Sequence, residues 1–423
     1  MTVGATGVLA RGRSVSDLRR RVTGILYLVL AAVMAWPFAA GVPAGTDARF
    51  VLSQAPAVHI PDASVAVRPF SFVLALICAY LGAHQIVRGF GRRAGVVLGV
   101  VLALFILSFL AWAAKDASMN LVGLLGSTLL RSVPLTLGAL SGVLCERSGV
   151  INVAIEGQFL IAAFAGAIVG SATTDLWLGL VAGVLAGGLV GALLAVLAIR
   201  YQVDQIVVGV VLNLFALGLT GFLNDRVLVP HQTTLNTPTV FSPIEIPLLS
   251  KIPLIGPVLF DQNIFIYLMY IMLAVVHVAL FRTRWGLRVR AVGEHPRAAD
   301  TVGIRVLAVR YRNVILGGMM AGLGGAYFTL GSVGSFAKNM TSGRGFIALA
   351  AMIFGHWSPL GAFAAALLFG FADALQSILA VLNVPIPSQF LLMAPYVATI
   401  LAVAGLVGRV RPPAADGKPY VKQ

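Results

Sequence analysis

Residues 94–113 read AGVVLGVVLALFILSFLAWA, an apolar run without a charged side chain. About 20 apolar residues are what a helix needs to cross the hydrocarbon core of a bilayer. Similar runs recur from residue 23 to residue 407, separated by polar gaps. The chain of 423 residues is 59% hydrophobic and 11% charged, whereas a soluble domain is about 25% charged. The sequence therefore predicts an all-α integral membrane protein, a polytopic bundle of about 10–12 transmembrane segments, some of them short or broken.

The apolar runs also place the individual spans. We expect them near 23–41, 69–87, 94–113, 121–144, 154–171, 176–199, 204–223, 263–281, 313–332, 360–380 and 389–407. One further run, 345–355, is too short to cross as a lone regular helix. The first run follows a basic stretch, as in a secretory signal, but its length favours an uncleaved helix.

The net charge of +15 is spread over clusters at alternate ends of the runs, which is the positive-inside pattern. The clusters are Arg19–Arg21, then Arg88, Arg92 and Arg93, and finally Arg282, Arg284, Arg288, Arg290, Arg297, Arg305, Arg310 and Arg312. A nucleic-acid-binding protein would instead carry its basic face on a folded polar domain. The pattern predicts a multi-pass protein of the bacterial inner membrane with both termini in the cytoplasm, and no nucleic acid as partner.

This topology divides the chain into regions. We expect a cytoplasmic tail at 1–22, N-terminal spans at 23–118 with an external loop at 42–68, a core at 119–409 with an external loop at 224–262 and a cytoplasmic loop at 282–312, and a cytoplasmic tail at 410–423. The last tail lies inside only if the short run 345–355 carries the chain across the membrane.

Motifs for catalysis, for nucleotide binding and for metal binding are absent from the sequence. The pair Gly417-Lys418 is followed by proline, so it is not a phosphate-binding loop, and neither H-E-x-x-H nor C-x-x-C occurs. We therefore predict no enzyme, no catalytic or metal site and no cofactor in this chain. Cys78 and Cys145 are expected to be small buried hydrophobic residues. Glycines at four-residue spacing are expected to bring helices close together: Gly183, Gly187, Gly191, Gly318 and Gly322.

Asp373 lies deepest in an apolar run, and Glu156 lies next to a break between two runs. An ionisable residue at membrane depth is costly and is a functional candidate by default. A stand-alone ion-coupled transporter could use either carboxylate to carry a proton. Pairing of each carboxylate inside the helix bundle is the alternative explanation.

The loop at 282–312 contains a short predicted helix. Pro296 can begin a helix just after Glu294 and His295, and Gly303 can stop it at about residue 302. An exposed helix flanked by arginines would suit docking to a soluble partner, although any cytoplasmic loop can contain such a helix.

This loop resembles the permeases of the ribose and branched-chain-amino-acid branch of ATP-binding-cassette importers. In that branch a Gly-x-x-x-x-Ala-Ala-x-x-x-Gly-Ile pattern forms the coupling helix, matched here by Gly293, Ala298, Ala299, Gly303 and Ile304. Two further stretches resemble the nucleoside-type permeases: Glu146-Arg147-Ser148-Gly149-Val150-Ile151-Asn152 with Glu156-Gly157, and the segment from Gly343-Arg344-Gly345-Phe346 to Asp373-Ala374-Leu375-Gln376. The resemblance covers about residues 120–407; the segments before it are less informative.

The resemblance implies a permease subunit that forms the path for nucleosides, or for a related sugar-containing solute. It implies a second related permease, ATPase subunits that bind ATP on other chains, and an extracytoplasmic substrate-binding lipoprotein. The implied ATPase-coupling residues are Glu294, His295, Pro296, Arg297, Ala298, Ala299 and Gly303.

A nucleoside needs ring stacking and hydrogen bonds to its ribose and base. Candidate residues of a wet path are Asn152, Glu156, Gln158, Asn213 and Gln376. Hydrogen bonding between helices is the alternative role for each of them.

Overall fold

The computed structural model describes residues 3–52, 61–382, 390, 393 and 411–422. In these ranges ten helices are long and apolar enough to cross a membrane, so the predicted polytopic all-α class is confirmed. They are Arg20–Ala40, Val67–Val87, Ala94–Ala113, Leu121–Glu146, Ile155–Thr173, Leu176–Arg200, Gln205–Leu228, Ile264–Arg282, Val306–Val333 and Pro359–Val381. The predicted span at 389–407 falls outside the described residues except for positions 390 and 393.

The helices and strands run in the following order. The helices are α1 (Val3–Ala35), α2 (Val67–Val87), α3 (Ala94–Ala113), α4 (Leu121–Glu146), α5 (Ile155–Thr173), α6 (Leu176–Ala195), α7 (Gln205–Leu223), α8 (Gln232–Leu235), α9 (Ile255–Leu259), α10 (Ile264–Arg282), α11 (Arg284–Glu294), α12 (Pro296–Thr301), α13 (Val306–Ala326), α14 (Arg344–Phe354) and α15 (Pro359–Val381). The strands are β1 (Asp47–Val51), β2 (Ala63–Ala66), β3 (Ser118–Asn120), β4 (Ile244–Glu245) and β5 (Asp261–Gln262).

Two compact units divide the chain, and the first holds residues 1–124 with 377–388 and 404–408. Its described part contains α1, α2, α3 and a sheet in which β1 pairs antiparallel with β2 and parallel with β3. The polar segment predicted as the loop at 42–68 therefore contains strands. Helix α1 begins at Val3, so the segment predicted as an N-terminal tail joins the first span in one helix. Cys78 is a buried free thiol, as predicted.

The second unit holds residues 125–376, 389–403 and 409–423, and α4, α5 and α13 are its most buried spans. Helices α6 and α13 pack through glycines: a Cβ at Gly187 would overlap the Cα of Gly322, and a Cβ at Gly191 would lie 3.0 Å from the Cα of Gly318. The predicted glycine packing is thus confirmed. Cys145, a buried free thiol, lies in the same unit.

Several spans of the second unit are irregular at their ends. Helices α6, α7 and α13 continue into π-helical turns at Val196–Arg200, Asn224–Leu228 and Tyr327–Val333. Helix α14 has 11 residues, so the short run is a short helix as predicted. It is joined to α15 by a tight turn in which His356 and Trp357 have φ values of 58° and 52°.

Candidate functional site

The segment between α4 and α5 is tied to the turn that follows α14. The Nε of Arg147 donates to the backbone oxygen of Trp357 at 2.9 Å, and the indole Nε1 of Trp357 donates to Glu146 at 2.5 Å. Gly149 has φ +88°, a left-handed conformation that glycine adopts without strain. The Glu-Arg-Ser-Gly stretch therefore forms a fixed turn anchored by the end of α14.

Two of the candidate path residues, Asn152 and Gln158, lie in the protein interior. Both are fully buried, and the Asn152 side chain donates to Ser141 Oγ and to Gln158 Oε1, each at 3.1 Å. Asn152 Oδ1 accepts the backbone N–H of Ala154 at 3.2 Å. Asn152 thus links Ser141 of α4 to Gln158 of α5, which is the hydrogen bonding between helices considered as its alternative role.

The Glu156 carboxylate holds the N-terminal end of α14. It accepts hydrogen bonds from the Thr341 hydroxyl at 2.6 Å and from the backbone N–H groups of Gly343 and Gly345 at 2.7 and 2.6 Å. The N-terminus of a helix carries partial positive charge and unpaired N–H groups, so a carboxylate is favourable there. Glu156 thus joins α5 to α14, with its side chain almost completely buried.

The remaining two candidates, Asn213 and Gln376, differ in their surroundings. Asn213 on α7 accepts the N–H of Gly157 at 2.8 Å and donates to the backbone oxygen of Val153 at 2.9 Å. It therefore caps the first turn of α5. Gln376 is half-buried on α15, one turn after Asp373. Asn152 and Gln158 contact each other, whereas Gln376 is on α15, which holds none of the other four candidates.

A charged cluster joins α4, α14 and α15. Arg131 Nη1 lies 2.9 Å from Asp373 Oδ2, and Arg344 Nη2 lies 3.8 Å from the same oxygen. The side chains of Arg131, Asp373 and Arg344 are 33%, 27% and 34% exposed, so each reaches the surface of the helix bundle. The Arg344 guanidinium also lies 5.8 Å from the centre of the Phe328 ring. The cluster places a carboxylate, two guanidinium groups and an aromatic ring together within apolar spans.

The predicted short helix of the loop at 282–312 is present as α12, with Pro296 at its first position and Gly303 at φ +82° just after it. Ala299 is buried, whereas Glu294, His295, Arg297 and Ala298 are exposed. Gly293, at the preceding corner, packs so tightly on the turn after α4 that a Cβ would overlap the backbone oxygen of Arg147. Helix α12 is therefore an exposed element, and the end of α11 just before it packs on the Glu-Arg-Ser-Gly turn.

Residues 411–422 fold back onto this loop. The N–H of Ala415 donates to the backbone oxygen of Gly293 at 2.8 Å, and Arg310 Nη1 donates to the backbone oxygen of Lys418 at 2.9 Å. Tyr420 completes a small apolar cluster with residues of α11, α12 and α13: Val292, Ala299 and Val306. The described part of the tail is therefore in direct contact with the loop that is predicted to be cytoplasmic.

Asp416 of the tail is hydrogen-bonded to the carboxyl group of Glu146, at the end of α4. Burial raises the pKa of Asp416 to about 6, while Glu146, the Gly417 backbone and Arg310 act in the opposite direction. Two carboxyl groups in contact are most stable when they share a proton. The tail is thus attached to the end of α4 by a bond that depends on pH.

Comparisons with known proteins identify the class to which these features belong. Residues 124–407 match the family described as "Branched-chain amino acid transport system / permease component". The chain belongs to this permease family. The match begins near the start of α4 and covers the loop at 282–312, so the contacts of the candidate site, except those of the tail, lie within it.

Two relatives of the permease are named as nucleoside transport proteins. It is 42% identical over 307 residues to the guanosine ABC transporter permease protein NupQ of Bacillus subtilis, covering 70% of this chain and 95% of NupQ. It is 40% identical over 319 residues to the nucleoside ABC transporter permease protein NupC of Lactococcus lactis, covering 72% of this chain and 99% of NupC.

A third relative is named as a sugar transport protein. The putative glucose ABC transporter permease protein TsgC13 of Haloferax volcanii is 37% identical over 254 residues, covering 60% of this chain and 77% of TsgC13. No solved structure matches the permease. The permease is a transport component and not an enzyme, and within its described residues no three His, Cys, Asp or Glu side chains group as they would around a metal ion.

Sequence reasoning on the permease missed Arg131 and Arg344, the partners of Asp373. Arg131 lies in the apolar run 121–144, where a guanidinium group is as costly as a carboxylate, so its depth was a usable signal. The two arginines now explain how Asp373 is stabilised in the bundle. Because the chain belongs to this permease family, the hypothesis of a stand-alone ion-coupled transporter that uses Asp373 or Glu156 is rejected.

Proposed function

We propose that the permease forms the nucleoside path of an ATP-binding-cassette importer driven by ATPase subunits on other chains. The observation that carries this proposal is the 42% identity to the guanosine permease NupQ, in an alignment that covers 95% of NupQ. The exposed helix α12 and the charged cluster around Asp373 support it, because an importer permease needs a surface for its ATPase and a polar path through its apolar spans.

Helix α12 is the proposed contact with the ATPase. Its exposed residues Arg297 and Ala298 face away from the protein, while Ala299 is buried against α13 and the tail. Behind α12, Gly293 touches the turn that holds Arg147, and Arg147 in turn holds Trp357. A displacement of α12 by the ATPase would therefore reach α14 through closely packed backbone rather than through a flexible loop.

The path itself is proposed to run along the face where Arg131, Arg344 and Asp373 reach the surface. A guanidinium plane can stack on a purine or pyrimidine ring, and a carboxylate can accept hydrogen bonds from ribose hydroxyl groups. Gln376, one turn from Asp373, can bond a base through its amide. Of the residues expected from sequence to line the path, Asn152, Gln158, Asn213 and Glu156 are assigned to positioning α5 and α14 instead.

The proposed assembly contains a second related permease, ATPase subunits and an extracytoplasmic substrate-binding lipoprotein in the bacterial inner membrane. The arginine-rich loop at 282–312 and the tail at 411–422 are placed in the cytoplasm, since basic loops are retained on that side. The segment 224–262 then faces the outside, where the binding protein delivers the substrate.

Purification of the tagged permease from its native membranes tests the coupling part of the proposal. We expect an ATPase and a second permease to co-purify, and the ATPase to be lost from the Arg297→Glu variant. Arg226→Glu is the matched control, because Arg226 is also exposed but lies at the other end of the membrane in the proposed topology. Equal loss of the ATPase from both variants would contradict the role of α12.

Uptake of labelled guanosine by cells that express the assembly tests the substrate. Unlabelled nucleosides should compete, while free ribose and glucose should not. Competition by glucose alone would assign the permease to sugars, as the name of TsgC13 would suggest. ATP-independent uptake by the permease alone would overturn the importer.

A further inference from the structure

A cleft of about 880 Å³ opens between α11, the turn after α12 and the first turns of α13. Four arginines line it, all exposed: Arg284, Arg288, Arg305 and Arg312. Among the described residues, no acidic side chain forms an ion pair with any of the four. The cleft thus concentrates positive charge that the described part of the permease does not neutralise.

A second groove, of about 450 Å³, runs between α10 and α13 and is lined by apolar side chains. On α13 its walls are Leu316, Met319, Met320 and Leu323, and on α10 they include Met272 and Val275. Arg312 of the basic cleft precedes Leu316 by one helical turn, so cleft and groove follow a single stripe of α13. Trp285 lines both spaces and marks the point where they meet.

The chemistry of this combined site selects one class of ligand. A soluble anion would use only the basic cleft, and a zwitterionic lipid would gain little from four arginines. An anionic phospholipid uses both parts, with its phosphate at the arginines and an acyl chain in the groove. Basic pockets at the cytoplasmic ends of membrane helices bind such headgroups, and tryptophan is enriched at this level of the bilayer.

We propose that the cleft between α11 and α13, together with the groove between α10 and α13, binds one anionic phospholipid. The headgroup lies against Arg288 and Arg312, and one acyl chain lies along Met319. Gly303 and Ile304, which follow α12 directly, also line the cleft. The bound lipid is therefore in contact with the turn that sets the position of α12.

Lipid retention by the purified assembly tests this proposal without any measurement of transport. The assembly is placed in nanodiscs of phosphatidylcholine, with or without phosphatidylglycerol, and then extracted for native mass spectrometry. We expect phosphatidylglycerol to be retained and to raise the thermal midpoint more than phosphatidylcholine does. Because each basic residue contributes about 1 kcal/mol to anionic-lipid binding, the Arg288→Gln, Arg312→Gln double variant should bind phosphatidylglycerol about 30-fold more weakly.

Arg88→Gln with Arg93→Gln is the matched control, since it removes the same charge from exposed arginines of the other compact unit. Val275→Trp fills the groove at a half-exposed position without changing charge, and should reduce retention as well. Equal retention of both lipids, or equal loss from the control, would overturn the proposal. Loss of the ATPase from the Arg288, Arg312 variant with lipid retention unchanged would assign the cleft to the ATPase instead.

Discussion

Glu156→Gln is the substitution that separates a positioning role from a substrate-binding role for this carboxylate. The Oε1 atom accepts two hydrogen bonds, from Thr341 and Gly343, and Oε2 accepts one, from Gly345. In the best orientation of glutamine, its amide oxygen keeps the first two bonds and its NH₂ group faces the Gly345 N–H. A buried N–H without a partner costs about 1–3 kcal/mol, and loss of negative charge at a helix N-terminus costs about 0.3–1 kcal/mol more.

The first turn of α14 should therefore open more easily by about 1.3–4 kcal/mol, which corresponds to about 10- to 900-fold faster amide exchange. Hydrogen–deuterium exchange of the peptide that contains Gly343 and Gly345 measures this directly. Thr341→Val is the control, because it removes one donor and keeps the carboxylate; we expect about fivefold faster exchange from it. Unchanged exchange in Glu156→Gln, with nucleoside uptake abolished, would refute the positioning role and return Glu156 to the substrate path.

Three other changes test the glycine packing, the charged cluster and the tail. Gly187→Ala should lower the thermal midpoint of the purified permease, whereas Gly218→Ala should not, because a Cβ at Gly187 overlaps α13 and one at Gly218 meets open space. Asp373→Asn should cost about 1–2 kcal/mol of stability by removing the carboxylate from two part-exposed arginines, and Arg131→Gln in the same chain should recover part of it in the same assay. Since the pKa of Asp416 is raised from 3.8 to about 6, docking of the tail should strengthen as the pH falls from about 6 towards 3.8; protease protection of the tail should show this, and Asp416→Asn should weaken the pH dependence.

Local chemistry made part of this structure predictable from sequence. The length of apolar runs gave most spans within a few residues, and Pro296 with Gly303 gave the ends of α12. The four-residue spacing of Gly187 predicted a close contact between helices, because small residues on one face of a helix allow a second helix to approach. These features depend on residues that are close in the chain.

The candidate site was less predictable because its contacts are distant in sequence. Arg131 and Asp373 are 242 residues apart, Glu156 and Gly345 are 189 apart, and Arg310 and Lys418 are 108 apart. Periodicity within one helix cannot show which helices are neighbours. It therefore identified polar residues such as Asp373 and Glu156 but not the residues to which they bond. Asn152 and Gln158, two of the residues predicted for the path, are fully buried and bond to each other, a contact that periodicity does not show.

Helix α14 explains why a short span is useful in the proposed importer. Its N-terminal end is held by Glu156 and carries Arg344, which meets Asp373. Just after its C-terminal end, Trp357 is held by Arg147, against which Gly293 packs. Eleven residues of helix extend about 16 Å, so a single rigid element reaches from the backing of α12 to the charged cluster. In the proposed importer, α14 would therefore connect the loop at 282–312 with the proposed path.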